Sequence, residues 1–326
     1  MKVLILSART GWHTDELCRA LTARGHAPRV APYESLVATV GRPQGRPLPD
    51  GKASGSRRSV EADLQVGLAE RAFDAEAVLA RIIPNGSLEQ IIYRVDGLHW
   101  IEDRGIPVVN SPRAIERSVD KFYTTALLHQ AGLPVPETVV CERADDAMAA
   151  IRRMLADGGE VIIKPIFGSM GHGLVRVSDP ELAWRVVRPL EQMRSVFYVQ
   201  HAIDHDGRDI RMFVVGGRVI GAIERTAPAG DWRTNVARGG VARPIAVSAE
   251  SEDYAVRAAA AVGADYAGVD VLRARTGEAF VLEVNAIPGW RGLQEATSVD
   301  VAAAIAQHVE ACAAGRQRHA AEGIPA

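Results

Sequence analysis

The chain has 326 residues, of which 47% are hydrophobic, and its formal net charge at pH 7 is −2. This length suggests two or three domains with a sizeable apolar core. The balanced charge gives no support for general nucleic-acid binding, and no apolar run is long enough to span a membrane or to form the core of a signal peptide. We therefore expect a cytoplasmic protein that binds neither nucleic acid nor membranes.

Cysteine and lysine are both scarce. The three cysteines are scattered, which indicates neither a zinc site nor a disulfide framework. Only four lysines occur, Lys2, Lys52, Lys121 and Lys164, and the other 34 basic residues (38 minus 4) are arginine. A coding bias toward arginine explains this scarcity, and under such a bias a retained lysine is a better candidate for a chemical role. Lys121 and Lys164 both lie in motif-like surroundings.

The first part of the chain predicts a βαβ arrangement and hence a parallel sheet. It has the hydrophobic spacing of strand, helix and strand, and Gly25 ends the helix. Dense Gly, Pro, Ser and Arg predict a surface loop over Val40–Ser59. The predicted elements, up to a domain end near Ser111, are strands at Lys2–Leu6, Ala27–Tyr33, Ala77–Ile83 and Ile106–Val109, and helices at Gly11–Arg24 and Leu88–Arg104.

A helix-start signal at Ser111 and Pro112 opens the second part, and the helical pattern continues to Gln130. Helices and strands alternate after it, and a strand-rich part follows. The predicted helices are Asp145–Ala156, Pro180–Met193, Ala249–Val262 and Val299–Ala313, and the predicted strands are Val135–Cys141, Glu160–Lys164, Leu174–Val177, Val196–Gln200, Asp209–Val215, Arg218–Arg225 and Gly240–Val247. The tail from Arg316 lacks apolar periodicity, so we expect it to fray.

A hairpin near the C-terminus carries the most informative polar residues. Two apolar runs flank Thr276 and Gly277, and a two-residue turn centred there places Asp270 directly opposite Glu283. Glu283 and Asn285 share a face, because strand side chains alternate. Facing carboxylates repel, and Mg²⁺ binds through one or two carboxylates plus substrate phosphates. The hairpin predicts a metal–nucleotide site, and the alternative is that Asp270 and Glu283 are ordinary edge residues.

The segment Gly168–Gly173 contains three glycines and joins two predicted strands. Its backbone N–H groups can approach an anion closely, and its setting suits a lid over phosphates, since a P-loop needs a helix next. A plain glycine hairpin is the alternative. Lys164 ends the buried strand before this segment, where a lysine reaches phosphate as a point charge. Lys121 follows Asp120 in a helix and, taken alone, is equally an ordinary exposed residue.

Arginines cluster in the strand-rich part. Asp209 and Arg211 share one strand face, and Arg225 ends the next strand. Guanidinium groups bind phosphate bidentately, so the cluster predicts a polyphosphate clamp, whereas one pair alone would be an ordinary salt bridge. Gln200 and His201 end a strand where they can border a purine, and His201 is equally a surface histidine. The clustered arginines are Arg211, Arg225, Arg233 and Arg238.

With these motifs in family order, the chain resembles the RimK-like ATP-grasp carboxylate–amine ligases. The matching segments are Ser118–Lys121, Ile163–Pro165 with the glycine loop, Asp209–Arg211, Trp232–Asn235, Arg238–Gly240, Ala267–Asp270 and Glu283–Gly289. The resemblance implies an α/β protein with an ATP-grasp fold behind an N-terminal parallel α/β domain. Its implied divisions are the N-terminal domain 1–111, a central lid domain 112–195, a C-terminal domain with the metal site 196–315, and a tail 316–326.

The resemblance also implies the roles of individual residues. Arg211 and Arg225 would stabilise the transferred phosphoryl group, and Asp270, Glu283 and Asn285 would hold two Mg²⁺ ions, with Mn²⁺ as an alternative. ATP would be bound by Lys121, Lys164, Gly168, Ser169, Met170, Gly171, Gln200, His201, Ala202 and Asp209. Within this set Asp209 would meet the ribose, and Gln200 and Ala202 the adenine through backbone groups. The substrates would be bound by Arg233, Thr234, Asn235, Arg238, Gly240 and Trp290.

The implied activity is an ADP-forming ligation through an acyl phosphate. It would join an amino acid, L-glutamate in most of the family, to a carboxylate acceptor. The segment Pro288–Leu293 resembles members that act on pterin or furan coenzymes of one-carbon metabolism. His201 departs from the family, which often has glutamate there, and Ala286 and Ile287 stand where serines are frequent.

Three alternatives remain open at the level of sequence: modification of a ribosomal protein or peptide C-terminus, an inactive nucleotide-binding regulator, and a D-alanine–D-alanine-type ligase. By family analogy we expect a homodimer or homotetramer.

Overall fold

The computed structural model describes residues 1–39, 65–68, 71–72, 74–156, 158–168, 173–234 and 240–321. The predicted loop Val40–Ser59 lies outside these ranges. The chain divides into two compact units, one formed by Met1–Val108 with Ala311–Ala326 and the other by Val109–Glu310. The finer predicted division at residue 195 stays a prediction. Among the described helices, not one combines the length and apolar character needed to cross a bilayer.

The first unit contains the predicted parallel sheet. Strand β1 pairs in parallel with both β2 and β6, and the strand order is β2-β1-β6-β7. Val3, Leu4, Ile5 and Leu6 of β1 are buried, as a strand covered on both faces requires. Strands β3, β4 and β5 form a separate antiparallel sheet. The elements are β1 (Lys2–Leu6), α1 (Trp12–Ala23), β2 (Ala27–Ala31), β3 (Leu36–Thr39), β4 (Gln65–Leu68), β5 (Arg71–Ala72), β6 (Ala77–Ala80), α2 (Leu88–Asp103) and β7 (Val108–Val109).

The second unit begins with two helices and continues with a sheet covered by a helix pair. Strands β8 to β11 form an antiparallel sheet of order β10-β9-β11-β8. Helices α5 and α6 bury Met148, Ile151 and Val187 against Phe197 and Val199 of β11. These elements are α3 (Pro112–Val119), α4 (Lys121–Gln130), β8 (Thr138–Cys141), α5 (Ala144–Leu155), β9 (Val161–Lys164), β10 (Val175–Val177), α6 (Pro180–Gln192) and β11 (Phe197–His201).

The rest of this unit is a five-stranded antiparallel sheet of order β14-β13-β12-β15-β16. Its core face packs on α7, whose alanines Ala255, Ala258 and Ala259 let the helix approach Val269 and Val284 closely. The elements are β12 (Arg208–Val215), β13 (Arg218–Thr226), β14 (Val241–Pro244), α7 (Ala249–Val262), β15 (Tyr266–Arg273), β16 (Ala279–Asn285), α8 (Arg291–Thr297) and α9 (Val301–Ala321). The part of α9 from Ala311 onward belongs to the first unit.

Two helix predictions were wrong in their bounds. The predicted single helix to Gln130 breaks at Asp120, whose extended backbone (ψ 102°) ends α3. The Asp120 carboxylate then caps α4 by accepting from the Tyr123 N–H at 2.9 Å, so Lys121 is the first residue of a new helix. At the other end, α9 continues to Ala321 instead of fraying at Arg316, as expected of an alanine-rich segment.

The predicted pairing of Asp270 with Glu283 is confirmed, but the predicted turn is wrong. Next to the turn, Val271 pairs with Val281, so a regular ladder would place Leu282 opposite Asp270. A β-bulge between Asp270 and Val271 shifts the register and brings Glu283 opposite Asp270 instead. The bulge therefore restores the pairing that a two-residue turn would have given.

Candidate active site

A pocket in the second unit is bordered by strands of both of its sheets and by the first residue of α4. Its lining combines cationic, acidic and apolar side chains. The predicted site residues that line it are Lys121, Lys164, Gly168, Gln200, His201, Asp209, Arg225, Arg233, Thr234, Asp270 and Glu283. The sequence therefore identified most of the polar lining.

Lys121 and Lys164, the two lysines in motif-like surroundings, both line this pocket. The Lys121 ammonium donates to the backbone oxygens of Ile166 at 3.2 Å and Gly168 at 2.7 Å, which ties α4 to the start of the glycine loop. Burial lowers the pKa of Lys121, against the attraction of Glu283. Burial likewise lowers the pKa of Lys164 to about 8, with Glu283 opposing the shift and Lys121 adding to it. Two lysines that share one carboxylate make a site for a multiply charged anion.

Gln200 fixes the position of Lys164. The Lys164 ammonium donates to Gln200 Oε1 at 2.5 Å, and Gln200 Nε2 donates to Thr138 Oγ1 at 2.9 Å and Tyr198 Oη at 3.1 Å. Because an ammonium group cannot accept a hydrogen bond, the amide oxygen has to face Lys164. Gln200 is only 2% exposed, and Tyr198 Oη lies 2.8 Å from Thr125 Oγ1. The Gln200 side chain is thus committed to Lys164.

An alternating chain of buried charges crosses β12, β13 and β15. Arg211 binds both carboxylate oxygens of Asp270. Its Nε contacts Oδ1, and its Nη2 donates to Oδ2 at 2.7 Å. Arg225 Nη2 lies 2.8 Å from Asp270 Oδ2. Arg225 also binds Asp209, whose Oδ1 accepts from Nε at 2.7 Å and whose Oδ2 accepts from Nη2.

The pKa shifts in this chain follow from its charges. Burial alone would raise the pKa of Asp270, but Arg211 and Arg225 outweigh burial and lower it. Burial alone would lower the pKa of Arg225, and Asp270 and Asp209 outweigh it and raise it. Asp270 is therefore ionised while it is almost fully enclosed, a state that only paired charges sustain.

Glycine at position 268 makes room for Arg211. Gly268 lies two residues before Asp270 on the same face of β15, and the Arg211 side chain passes over it. A Cβ built on Gly268 would lie 3.0 Å from Arg211 Nη1 and 3.1 Å from Pro288 Cβ. The glycine in the predicted Ala-Gly-Val-Asp motif thus serves the contact between Arg211 and Asp270.

Glu283 differs from Asp270 in its contacts. Within the described ranges, the Glu283 carboxylate has no hydrogen-bonding partner, although Lys121 and Lys164 both lie close enough to feel its charge. Its sequence neighbour Leu282 also lines the pocket, because the bulge turns both side chains toward it. A carboxylate in this position is available to a cation.

The apolar lining was missed at the level of sequence. Pocket side chains from β9, β15, β16 and the adjoining loops present an apolar surface beside the lysines, and it has the character of a purine site. These residues are Pro136, Ile162, Leu174, Ile203, Leu272 and Leu282. Their only sequence signal is that Ile162 and Leu272 alternate with core residues on their strands.

Several predicted site residues do not line this pocket. Trp290 is 1% exposed and packs edge-on against Phe213, with ring centroids 6.2 Å apart. The Ala202 N–H donates to Glu160 O at 2.8 Å, and Asn285 Oδ1 accepts from the Ile287 N–H at 2.9 Å. Arg211 reaches the pocket only through Asp270, and Gly240 is likewise absent from the lining. Five more lie outside the described ranges: Ser169, Met170, Gly171, Asn235 and Arg238.

Residues 118–309 match the model of the RimK-like ATP-grasp domain. The chain belongs to the RimK-like ATP-grasp family. Members of this family are ADP-forming acid–amino-acid ligases. The family also accounts for the ATP-grasp fold, in which the two antiparallel sheets of the second unit enclose the pocket.

Two relatives of this chain are named for different glutamate acceptors. The tetrahydromethanopterin:alpha-L-glutamate ligase of Methanosarcina acetivorans is 36% identical over 73% of this chain and 80% of its own. The ribosomal protein bS6–L-glutamate ligase of Salmonella paratyphi B is also 36% identical, over 70% of this chain and 76% of its own. Among solved structures, the ATP-grasp ligase PsnB complexed with minimal precursor, Mg and ADP has a TM-score of 0.70 at 24% identity, over 96% of this chain and 98% of its own.

Proposed function

We propose that this protein joins L-glutamate, through its amino group, to the carboxylate of a small coenzyme of the pterin or furan type, with ATP as the energy source. The observation that carries the proposal is the pocket that gathers Lys121, Lys164, Arg225, Asp270 and Glu283. The resemblance of the segment Pro288–Leu293 to members that act on such coenzymes supports the coenzyme as acceptor, and a tetrahydromethanopterin ligase is among the relatives at 36% identity.

The polar and apolar parts of the pocket fit the two ends of ATP. The apolar residues, among them Ile162 and Leu272, would enclose the adenine, while Lys121 and Lys164 would bind the phosphates. Arg225 would neutralise charge that develops on the transferred phosphoryl group, since its guanidinium group is aimed at the pocket and is always protonated.

The oxygen donors of the hairpin fit magnesium. Glu283 offers a carboxylate without a hydrogen-bonding partner in the described part of the chain, Asp270 lies across from it, and Asn285 Oδ1 has a second lone pair beyond its bond to Ile287. These three residues would hold two ions. Bound magnesium would neutralise the phosphate oxygens and polarise the γ-phosphoryl group.

The reaction follows from what these groups can do. The acceptor carboxylate is a poor electrophile until its oxygen attacks the γ-phosphorus, which breaks the bond to ADP and forms an acyl phosphate. The glutamate amine then attacks the acyl carbon, loses a proton and expels inorganic phosphate. An acyl phosphate hydrolyses in water, so the glycine loop would close over it. Arg233, Asn235 and Arg238 would bind the carboxylates of the two substrates.

ADP release and product mass together test this proposal. The purified protein is assayed with Mg²⁺, ATP and glutamate. The acceptor is either a pterin- or furan-type coenzyme that carries a carboxylate, or a ribosomal-protein C-terminal peptide. We expect glutamate-dependent ADP release only with the coenzyme, and a product heavier by one or more glutamyl residues. Turnover with the peptide would favour modification of a ribosomal-protein C-terminus, since the ribosomal protein bS6–L-glutamate ligase is also 36% identical to this chain. ATP binding without turnover on any acceptor would favour the regulator.

A further inference from the structure

A relay of hydrogen bonds joins the two lysines of the pocket. The Lys164 ammonium donates to Gln200 Oε1 at 2.5 Å, and Gln200 Nε2 donates to Tyr198 Oη at 3.1 Å. Tyr198 Oη lies 2.8 Å from Thr125 Oγ1, and Thr125 Oγ1 donates to the backbone oxygen of Lys121 at 2.8 Å. The relay therefore runs from the ammonium group of one lysine to the backbone of the other.

The two ends of the relay fix the direction of every bond in it. An ammonium group can only donate, and a backbone carbonyl group can only accept. Because Thr125 uses its one hydroxyl hydrogen on the Lys121 carbonyl, the hydrogen between Thr125 and Tyr198 comes from Tyr198. Burial raises the pKa of Tyr198, against the hydrogen bond to Thr125, so the phenol keeps this hydrogen. Hydrogen bonds that point the same way polarise and strengthen one another.

Tyr198 and Thr125 lie beside the nucleotide pocket. The described residues that line this pocket do not include either of them, and Tyr198 is only 1% exposed. Both border a smaller pocket next to it, which shares Lys121, Lys164 and Glu283 with the first. The relay holds Lys121 at its backbone, while the Lys121 ammonium is held by the start of the glycine loop.

We infer that Tyr198 and Thr125 are positioning residues that fix the ammonium groups of Lys121 and Lys164 relative to each other, so that the two lysines bind one polyphosphate as a unit. The inference rests on the proposed function, which assigns both lysines to the phosphates of ATP. The bond between Tyr198 and Thr125 connects β11, which carries Gln200, to α4, which begins at Lys121. A shift of either element therefore moves one lysine relative to the other.

Ligands with and without phosphates test this inference. Calorimetry with ADP and with adenosine is carried out on the full-length wild type, Tyr198→Phe, Thr125→Val and Thr125→Ser. Tyr198→Phe removes the hydroxyl and keeps the ring, whose centroid lies 5.7 Å from the Lys164 ammonium. We expect it to weaken ADP binding about two- to tenfold, the range of one hydrogen bond, and to weaken adenosine binding much less. Thr125→Val should behave in the same way, and Thr125→Ser, which keeps the hydroxyl, should bind ADP nearly as the wild type does.

Tyr254→Phe is the matched control. It also removes a phenol that donates a hydrogen bond, to Glu250 at 3.2 Å, but on α7 and outside the described lining of the pocket. Its ADP affinity should equal that of the wild type. Equal losses for ADP and adenosine in Tyr198→Phe, or wild-type ADP affinity in both Tyr198→Phe and Thr125→Val, would overturn the inference. If Tyr198→Phe does not fold, as judged by its melting curve, the two Thr125 variants decide alone.

A double-mutant cycle tests whether Tyr198 acts through the relay. Lys164→Met removes the first donor of the relay, so Tyr198→Phe should weaken ADP binding less in this background than in the wild type. The same loss in both backgrounds would show that the Tyr198 hydroxyl acts independently of Lys164, and this result would overturn the positioning role.

The binding measurements need no turnover, which separates this inference from the proposed function. A wild type that binds ATP but forms no ADP with any acceptor would refute the proposed function alone. Equal losses of affinity for ADP and adenosine in the variants would refute the positioning role alone, whatever the acceptor.

Discussion

Lys164 donates its ammonium hydrogen to Gln200 Oε1 at 2.5 Å, at a buried position where the pKa of the lysine is lowered to about 8. Gln200→Leu removes the only acceptor that the described residues give to Lys164, so the pKa of Lys164 should fall further below about 8. Gln200→Glu places a carboxylate there and should raise this pKa. We expect the pH at which nucleotide affinity begins to decline to move down in the first variant and up in the second, as measured by calorimetry from pH 6.5 to 9.5. Identical pH profiles in both variants would contradict the role of Gln200.

Nucleotide binding should weaken above pH 8 in the wild type. Without nucleotide, burial holds the pKa of Lys164 at about 8, and bound phosphates raise it, so binding above that pH takes up a proton. Affinity should be constant below pH 8 and fall by at most tenfold per pH unit above it. Lys164→Met should bind nucleotide more weakly at neutral pH, and its affinity should decline much less above pH 8. Lys2→Met is the matched control, because Lys2 pairs with Asp74 on the surface of the first unit. A wild-type affinity that stays flat up to pH 9.5 would show that Lys164 does not contact the phosphates.

The lowered pKa of Lys164 also makes the stability of the fold depend on pH. Its contribution to stability should rise with pH over the range in which nucleotide affinity falls. The pKa of Lys164 is near 8 in the folded chain and 10.5 as the ordinary value, so between these pH values the unfolded chain binds more protons. The contribution of Lys164 to the free energy of unfolding therefore rises from pH 8 to 10.5 and is unfavourable below pH 8.

Glu283→Gln should abolish ADP formation and leave the fold intact. The substitution keeps the size of the side chain and removes the charge that a divalent cation needs. Glu283 has no hydrogen-bonding partner within the described residues, but its charge attracts Lys121 and Lys164, so the melting temperature should be unchanged or slightly lowered. Mn²⁺ binding followed by electron paramagnetic resonance should weaken in parallel with activity. Glu278→Gln, on the same hairpin but exposed, is the control and should behave as the wild type. Normal turnover of Glu283→Gln would remove the metal-site interpretation.

The sequence predicted the polar parts of the site better than their neighbours. Short motifs specify Lys164, Asp270 and Glu283, because each charge in an apolar strand needs a chemical reason. The bulge at Leu282 leaves no signal in the alternation, so the sequence could not show that Leu282 faces the pocket.

Side-chain partners that are distant in sequence could not be predicted either. Gln200 was expected at the adenine through its backbone, but its side chain is committed to Lys164 on the neighbouring strand β9. Asp120 looked like a mid-helix residue, and its capping of α4 became visible only with its backbone dihedral angles. Strand existence and type follow from hydrophobic periodicity, whereas side-chain partners depend on which strands meet.

Trp290 should matter for stability and little for substrate affinity. It is 1% exposed and packs against Phe213, in contrast to the substrate contact predicted from the sequence. Trp290→Ala should lower the free energy of unfolding by about 3–5 kcal/mol, as for other large core truncations. Trp290→Phe should cost less and leave the KM for each substrate near the wild-type value. Trp232 lines the pocket, so Trp232→Ala should show the reverse pattern, with a raised KM and small stability loss. Urea unfolding measures the stability of each variant, and steady-state kinetics measure its KM. A raised KM in Trp290→Phe would support the substrate contact that the sequence predicted.

Gly268→Ala should separate Arg211 from Asp270. The added methyl group would lie 3.0 Å from Arg211 Nη1 and 3.1 Å from Pro288 Cβ, and proline cannot yield, so the arginine has to move. Asp270 would then keep only Arg225 as a cation, and the loss of a charge-assisted hydrogen bond should cost about 1–3 kcal/mol of stability. We expect kcat to fall as well, because Arg225 is drawn further toward Asp270, which has lost Arg211, and away from the pocket. Gly221→Ala is the matched control in the same sheet, where a methyl group meets Leu293 at an ordinary 3.4 Å. Equal stability and equal kcat for the two variants would show that Arg211 is dispensable to Asp270.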